Sequence, residues 1–282
     1  MKVNYICNKL HARITAFRAH PLTRGNVVGA LYRYISFNTI QSLSPRPRIY
    51  KWIGNLRFYA QKGDAGIVAN IYFKLFDYED SMFLMDHLKP DDLFVDVGAN
   101  VGHFSLLAAG VCGANVMAFE PIPTTFLKLK KNSELNALET KVSLFNLGLG
   151  DRNDILKFTK NRDVMNAVAL EHELDVLNAQ VRTLDELLTG KTPTFLKIDV
   201  EGFEFNVLKG ALKTLNSASL KYIIIELNSS SLRYGYSSKE IFDYLTLFNF
   251  VPITYDISTK EVIKQKSFNT EKFNTIFMKQ ND

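Results

Sequence analysis

From Leu93 onward the chain alternates short apolar runs with segments in which apolar residues recur every three or four positions. The runs read as strands and the recurring segments as helices, because strand side chains alternate with a period of two and helical ones with 3.6. Strands are expected at 93–98, 115–120, 142–147, 194–199 and 221–227, each apolar enough to be buried on both faces. Helices fit 102–112, 123–136, 203–215 and 238–248. The stretch 150–184 is less regular, with further strands expected at Ile155–Thr159 and Gln180–Leu184. At the end, FVPITYDI and NTIFMK read as two strands joined by the polar segment 258–273. The pattern predicts an α/β fold, a mainly parallel Rossmann-like sheet with helices on both faces and a terminal antiparallel strand pair. An ordinary dinucleotide-binding fold would continue with helical crossovers instead.

The first 62 residues obey another pattern. Val3, Ile6, Leu10, Ile14 and Phe17 form one helical stripe that His20-Pro21 ends. A second helix runs from Asn26 to about Leu43, stopped by Ser44-Pro45-Arg46-Pro47-Arg48, and RIYKWIGNLRFYAQKG predicts a hairpin around Gly54-Asn55. Residues 1–62 are read as a helical and hairpin cap, and 63–282 as the main domain.

Charge sharpens that division. Residues 1–62 carry 11 Lys or Arg and no Asp or Glu, while the remainder holds 23 basic and 29 acidic residues. Such an arm suits nucleic acid, an anionic glycan or peripheral contact with a membrane surface. The plainer alternative is a packing arm, since Phe17, Leu31, Tyr32, Tyr34, Ile35 and Phe37 are interleaved with the charges and call for burial. The hydrophobic share of 46% and charged share of 22% exclude a disordered or fibrous chain. Cys7 and Cys112 stand far apart without CxxC spacing, which argues against a disulfide framework or thiolate metal site. The start MKVNYICNKLHAR has no continuous apolar run, so a cytoplasmic location is expected.

Candidate chemistry gathers at the ends of the predicted strands, where open α/β sheets bind ligands. Asp96-Val97-Gly98-Ala99-Asn100-Val101-Gly102 links the first strand to a helix whose N-terminal N–H groups suit a carboxylate, with Asp96 placed for an ammonium group. Glu120 ends the next strand, 24 residues later, where a carboxylate can accept both hydroxyls of a ribose. The spacing GANVG lacks the G-x-G-x-x-G arrangement that admits a pyrophosphate, which favours an adenosine ligand without one. In Lys197-Ile198-Asp199-Val200-Glu201-Gly202-Phe203-Glu204 a buried strand delivers Asp199 and Glu201 to the same edge, while Glu204 reads as a helix cap. Glu226, after three isoleucines, adds another carboxylate whose burial needs a partner. The five histidines lack ligand spacing, His103 reads as a pocket wall, and no protein-bound metal is assigned; a divalent ion on Asp199 and Glu226 is the minority reading.

Together FVDVGANVGHFS, VMAFEPIP, LGLGD, LKIDVEGFEFNVLKGA and IIIEL resemble the FkbM family of methyltransferases over about residues 76–257. The resemblance implies a class I methyltransferase fold, S-adenosylmethionine as donor, and O-methylation of hydroxyls on sugars, glycolipids or polyketide products. By position, Asp96, Gly98, Asn100 and Gly102 become the first cofactor loop, Glu120 the ribose acid, and Glu79 an acid just upstream that touches the cofactor. His103 stands where the family often has tyrosine or phenylalanine, and the basic arm lies outside the shared pattern.

The expected enzyme takes a small-molecule or glycan acceptor, with Asp199 ranked first and Glu201 second as proton acceptor. A nucleic-acid methyltransferase using the basic arm is the first alternative, disfavoured because no Asn-Pro-Pro-Tyr-like segment follows the fourth strand. A non-catalytic scaffold is the second, disfavoured by intact Asp96, Glu120 and Asp199.

Overall fold

In a computed structural model, residues 2–160 and 165–280 are described, without the side chains of residues 2–7, so the expected stripe residues Val3 and Ile6, and Cys7, lie outside the described side chains. The chain forms two compact units, Met1–Tyr78 and Glu79–Asp282. The expected boundary at residue 62 falls inside the first.

That unit contains α1 (Lys2–Ala19), α2 (Val27–Leu43), β1 (Arg48–Lys51), β2 (Arg57–Ala60) and α3 (Ala65–Phe73). Asn26 starts α2 by accepting from the Gly29 N–H at 2.8 Å. β1 and β2 pair antiparallel, as expected around Gly54-Asn55. Sequence periodicity gave no notice of α3, which is apolar on nearly every side and packs on α2. Phe17 meets Phe73 at 4.9 Å between ring centroids and Tyr34 meets Tyr72 at 5.1 Å, so the cap has a core of its own. Phe17 and Phe37 are buried as the packing reading requires, but Tyr32 and Ile35 are exposed.

The second unit begins with α4 (Tyr78–His87), another helix absent from the sequence reading, whose first residue closes the first unit. Next come β3 (Leu93–Val97), α5 (His103–Gly110), β4 (Asn115–Phe119), α6 (Pro123–Leu135), β5 (Val142–Phe145), β6 (Gly148–Leu149), β7 (Asp154–Thr159) and β8 (Val176–Arg182). The rest is α7 (Leu184–Leu187), β9 (Phe195–Ile198), α8 (Glu204–Lys209), α9 (Leu212–Asn216), β10 (Tyr222–Glu226), α10 (Ser238–Thr246), β11 (Phe250–Asp256), β12 (Glu261–Lys264) and β13 (Asn274–Lys279). The main sheet has the order β12-β11-β13-β10-β9-β3-β4-β5. Its strands β10, β9, β3, β4 and β5 are parallel, with β5 at one edge, and β13 inserts antiparallel between β10 and β11. This is the α/β sheet with a terminal antiparallel pair that the pattern predicts. β12 is an added edge strand within the segment expected to be only a polar link.

Alternation along the strands sorts the two faces. Leu196 and Ile198 of β9 pack with Val207, Leu215, Ile241 and Leu245 from α8, α9 and α10. Phe195 turns the other way toward Phe83 of α4, with ring centroids 5.9 Å apart, and Lys197 lies over the Phe104 ring of α5 at 4.8 Å. Helices therefore cover both faces. No described helix is long and apolar enough to cross a membrane.

The helix expected over 203–215 is split at Gly210. A Cβ there would lie 2.0 Å from the Gly150 carbonyl oxygen, so the two backbones touch. α9 restarts with its Lys213 and Thr214 N–H groups donating to the Asp185 carboxylate at 2.7 and 2.9 Å. Gly210→Ala is expected to destabilise the protein by about 2–3 kcal/mol, read as a melting temperature lowered by several degrees. Gly25→Ala, where the methyl meets open space, should change it by under about 0.5 kcal/mol in the same thermal melts.

Candidate active site

The turn after β3 is built on backbone contacts that exclude side chains. Gly98 has φ +80°, and a Cβ there would sit 1.8 Å from the Asp199 carbonyl oxygen. The N–H groups of Gly98 and Ala99 both donate to the Phe119 carbonyl at 3.0 Å, tying the turn to β4. Asn100 adopts φ +50°, which a residue with a short polar side chain tolerates. Gly102, at φ +101°, opens α5, with its missing Cβ leaving room for Leu129.

Glu120 leaves the end of β4 and turns back across this loop. Its Oε2 accepts from the Asn100 N–H at 3.0 Å and its Oε1 from the Ile122 N–H at 2.9 Å. Burial pushes its carboxyl up to about 7, against the pull of those two N–H groups. Each oxygen keeps a lone pair for a further donor. Asp96 is 1% exposed. Its Oδ2 accepts from the Ser105 hydroxyl at 2.6 Å, while Oδ1 is buried with no hydrogen-bond partner among the described residues. A buried carboxylate oxygen left this way is costly, and a cationic donor would satisfy it. Burial raises the Asp96 carboxyl and the Lys197 ammonium opposes the rise.

His103, at the start of α5, is buried and shares a 2.9 Å hydrogen bond between its Nε2 and the Ser81 hydroxyl. Burial, helped by the Lys197 charge, lowers it to about 3, so the ring is neutral at ordinary pH. Glu79 stands apart. Its exposed carboxylate is ion-paired with Lys272. The neighbouring Asp80, not singled out by the sequence, is the acid of α4 that the Lys197 charge reaches, and its Oδ2 accepts from the Asn274 side-chain amide at 2.8 Å. The two acids are neighbours on α4, and one residue of helix turns a side chain by about 100°.

At the carboxyl ends of β9 and β10, Asp199, Glu201 and Glu226 each bring an oxygen within 4.8 Å of the other two. The three carboxylates assigned to chemistry from the sequence are therefore one cluster. It is also the set among the described residues that could hold a metal ion. Lys197, two residues back on β9, donates to Asp199 Oδ2 at 2.9 Å. Glu201, at φ +55°, is pushed up to about 7 by burial and by the charges of Asp199 and Glu204. Glu226 is pushed up to about 9 by burial and by Asp199, Glu201 and Glu204, and its Oε2 is buried without a hydrogen-bond partner among the described residues. Glu204 is buried and accepts from the Val200 and Gly202 N–H groups at 3.1 and 3.0 Å, so it braces the turn before α8 where the sequence predicts a helix cap. Gly202 permits that turn at φ +103°, where a Cβ would meet the Ser230 carbonyl at 2.5 Å.

A family model described as "Methyltransferase FkbM domain" matches residues 96–252. Among curated proteins, the hexuronic acid methyltransferase AglP of Haloferax volcanii is 32% identical over 149 residues, covering 52% of this chain and 60% of that protein. Methyltransferase 1 of Beauveria bassiana is also 32% identical over 149 residues, covering 43% and 59%. The chain thus spans about 60% of the length of these relatives. A crystal structure of methyltransferase FkbM from Methylobacillus flagellatus KT aligns over 89% of this chain and 60% of that one, with 15% identity and a TM-score of 0.45. The matched span runs from Asp96 through the whole acidic edge of the sheet, and the chain belongs to the FkbM methyltransferase family.

Proposed function

We propose that the protein is an S-adenosylmethionine-dependent methyltransferase that methylates a hydroxyl on a sugar, glycan or glycolipid. The observation that carries the donor assignment is the orphaned Asp96 Oδ1, buried beside the Gly98 turn, with Glu120 held across the same turn. The residues fit the group. Asp96 Oδ1 would receive the ammonium of the methionine moiety, the N–H groups opening α5 would face its carboxylate, and Glu120 would accept from the ribose hydroxyls. When bound, the donor supplies a methyl group already activated by its sulfonium.

The chain's remaining task is to align the acceptor oxygen and take its proton. Asp199, Glu201 and Glu226 line the place where this happens, and their surroundings rank them. Lys197 donates to Asp199 Oδ2 at 2.9 Å and so already occupies one of its two oxygens. Glu201, at about 7, is matched to accept a proton near neutrality. We therefore place Glu201 before Asp199: Glu201 accepts the proton, and Asp199, fixed by Lys197, receives the hydrogen bond of a neighbouring hydroxyl. Glu226 holds its own proton at neutral pH and donates it as a hydrogen bond. Supporting a sugar acceptor is this row of groups for pairing with hydroxyls, together with the hexuronic acid named for the relative from Haloferax volcanii.

Calorimetry should show the wild type binding S-adenosylmethionine and S-adenosylhomocysteine but not NAD, with Glu120→Ala weakening both at least about tenfold. Undiminished affinity in the variant removes Glu120 from the ribose role, and tight NAD binding overturns the methyltransferase reading.

With a sugar acceptor identified by product mass, turnover should rise with pH through about 7 in the wild type, as Glu201 ionises. Glu201→Gln should lose on the order of a hundredfold and flatten that limb, whereas Asp199→Asn should raise KM and keep the limb. The opposite split restores Asp199 as the base.

Stability gives a third check without an acceptor. Glu226 in the unfolded chain releases its proton at the ordinary value of 4.5, whereas the folded chain retains it up to about 9. The folded state therefore binds more protons across that window, and this contribution to stability falls as pH rises through it. The melting temperature of the ligand-free wild type should fall more steeply between pH 6 and 9 than that of Glu226→Gln. Parallel curves would show that Glu226 ionises normally.

A further inference from the structure

The first unit carries two features that its own packing leaves unused. Along one side of α2, Val28, Tyr32, Ile35 and Leu43 are 80%, 72%, 48% and 82% exposed, within an arc of about 80° at 100° per residue. Phe37 and Gln41, on the opposite side, are buried. Beside the exposed stripe opens a cavity of about 640 Å³, walled by Tyr32, Ile40, Tyr50, Trp52 and Ile71. Its charged lining is Arg33, Lys51 and Lys74. Arg33 is fixed in place, donating from Nε to the Ile71 carbonyl at 3.0 Å and from Nη2 to the Tyr72 carbonyl at 2.8 Å.

Charge decides what could cover these features. Residues 1–78 hold 12 Lys or Arg against two acids, Asp64 and Asp77. A second copy of this unit would set that excess of cations against itself. RNA would satisfy the cations but leave the apolar stripe and cavity in water. An anionic membrane satisfies both, since cations near such a surface are attracted and an amphipathic helix buries its apolar side at the acyl boundary. No described helix spans a bilayer, so the mode is attachment from the surface.

We propose that this unit is a lipid-binding module, in which the exposed stripe of α2 lies in the surface of an anionic membrane and the cavity takes one acyl chain of an anionic phospholipid. The lipid phosphate meets Arg33, Lys51 and Lys74. The inference stands apart from the donor site and does not depend on the methyltransferase reading.

Trp52, the only tryptophan in the chain, lines the cavity and reports on it directly. The full chain is mixed with phosphatidylcholine vesicles with or without phosphatidylglycerol, and Trp52 fluorescence is compared for plain and brominated acyl chains. The protein should sediment with phosphatidylglycerol vesicles at least about tenfold more tightly than with phosphatidylcholine alone, and brominated chains should quench Trp52. The double variant Val28→Glu, Leu43→Glu should lose that binding while keeping its circular dichroism and its affinity for S-adenosylhomocysteine. Should the double variant misfold, Leu43→Ser and the wild-type quenching decide. The proposal is overturned by sedimentation without quenching, by RNA binding in the absence of vesicle binding, or by glutamate variants that break a dimer and leave vesicle binding unchanged.

Discussion

A single buried ammonium organises the acidic edge of the sheet. Lys197 is 3% exposed, lies over the Phe104 ring, and donates to Asp199. Its charge also pulls down on the carboxyls of Asp80, Asp96, Glu201 and Glu226, against the burial that raises them. Neither side of this arrangement would survive alone: a lone buried ammonium is expensive to desolvate, and so many carboxylates without a cation would repel one another. The register of β3 with β9 sets Asp96 directly beside Lys197, so Asp96 and the carboxylate cluster share one cation. The same charge helps to keep His103 neutral.

That one cation does not neutralise the whole set, and the surplus of acid is held in place by the backbone. Gly98 and Gly202 bring neighbouring chain segments too close for any Cβ, and Glu201 sits in the left-handed region that residues with side chains seldom adopt. The helices on either face and the β3–α5 turn fix these positions, which spreads the cost over many contacts. Raised carboxyls and strained turns coincide here because burial and like charge raise the carboxyls, and both oppose folding unless the backbone holds the groups in place. Away from this edge the second unit obeys simple alternation, with apolar side chains from both faces of β9 and β10 fully buried.

The first unit is governed by a different constraint. Its aromatic core around Phe17, Phe37, Phe73 and Tyr72 makes it a folded body, so its cations are displayed from a fixed surface. Packing and display therefore fall on opposite sides of α2. Sequence periodicity registered the apolar residues of that helix but could not tell which would face inward.

Local pattern determined much of this protein. Strands buried on both faces announce themselves as unbroken apolar runs, and a carboxylate at the end of such a run, as at Glu120 or Glu226, can only emerge at the sheet edge. The glycines of the β3–α5 turn and the stop at Pro45 and Pro47 are likewise read from the residues, because their backbone limits are intrinsic. Tertiary structure decided the rest. The burial of Asp80, the break at Gly210, the edge strand β12, and the role of Lys197 all depend on which distant segment lies alongside: Asn274, Gly150, β11, or Asp96 with Asp199. A charge finds its partner and a helix its outward side through space, and those neighbours are set by the assembled sheet and its packed helices, not by spacing along the chain.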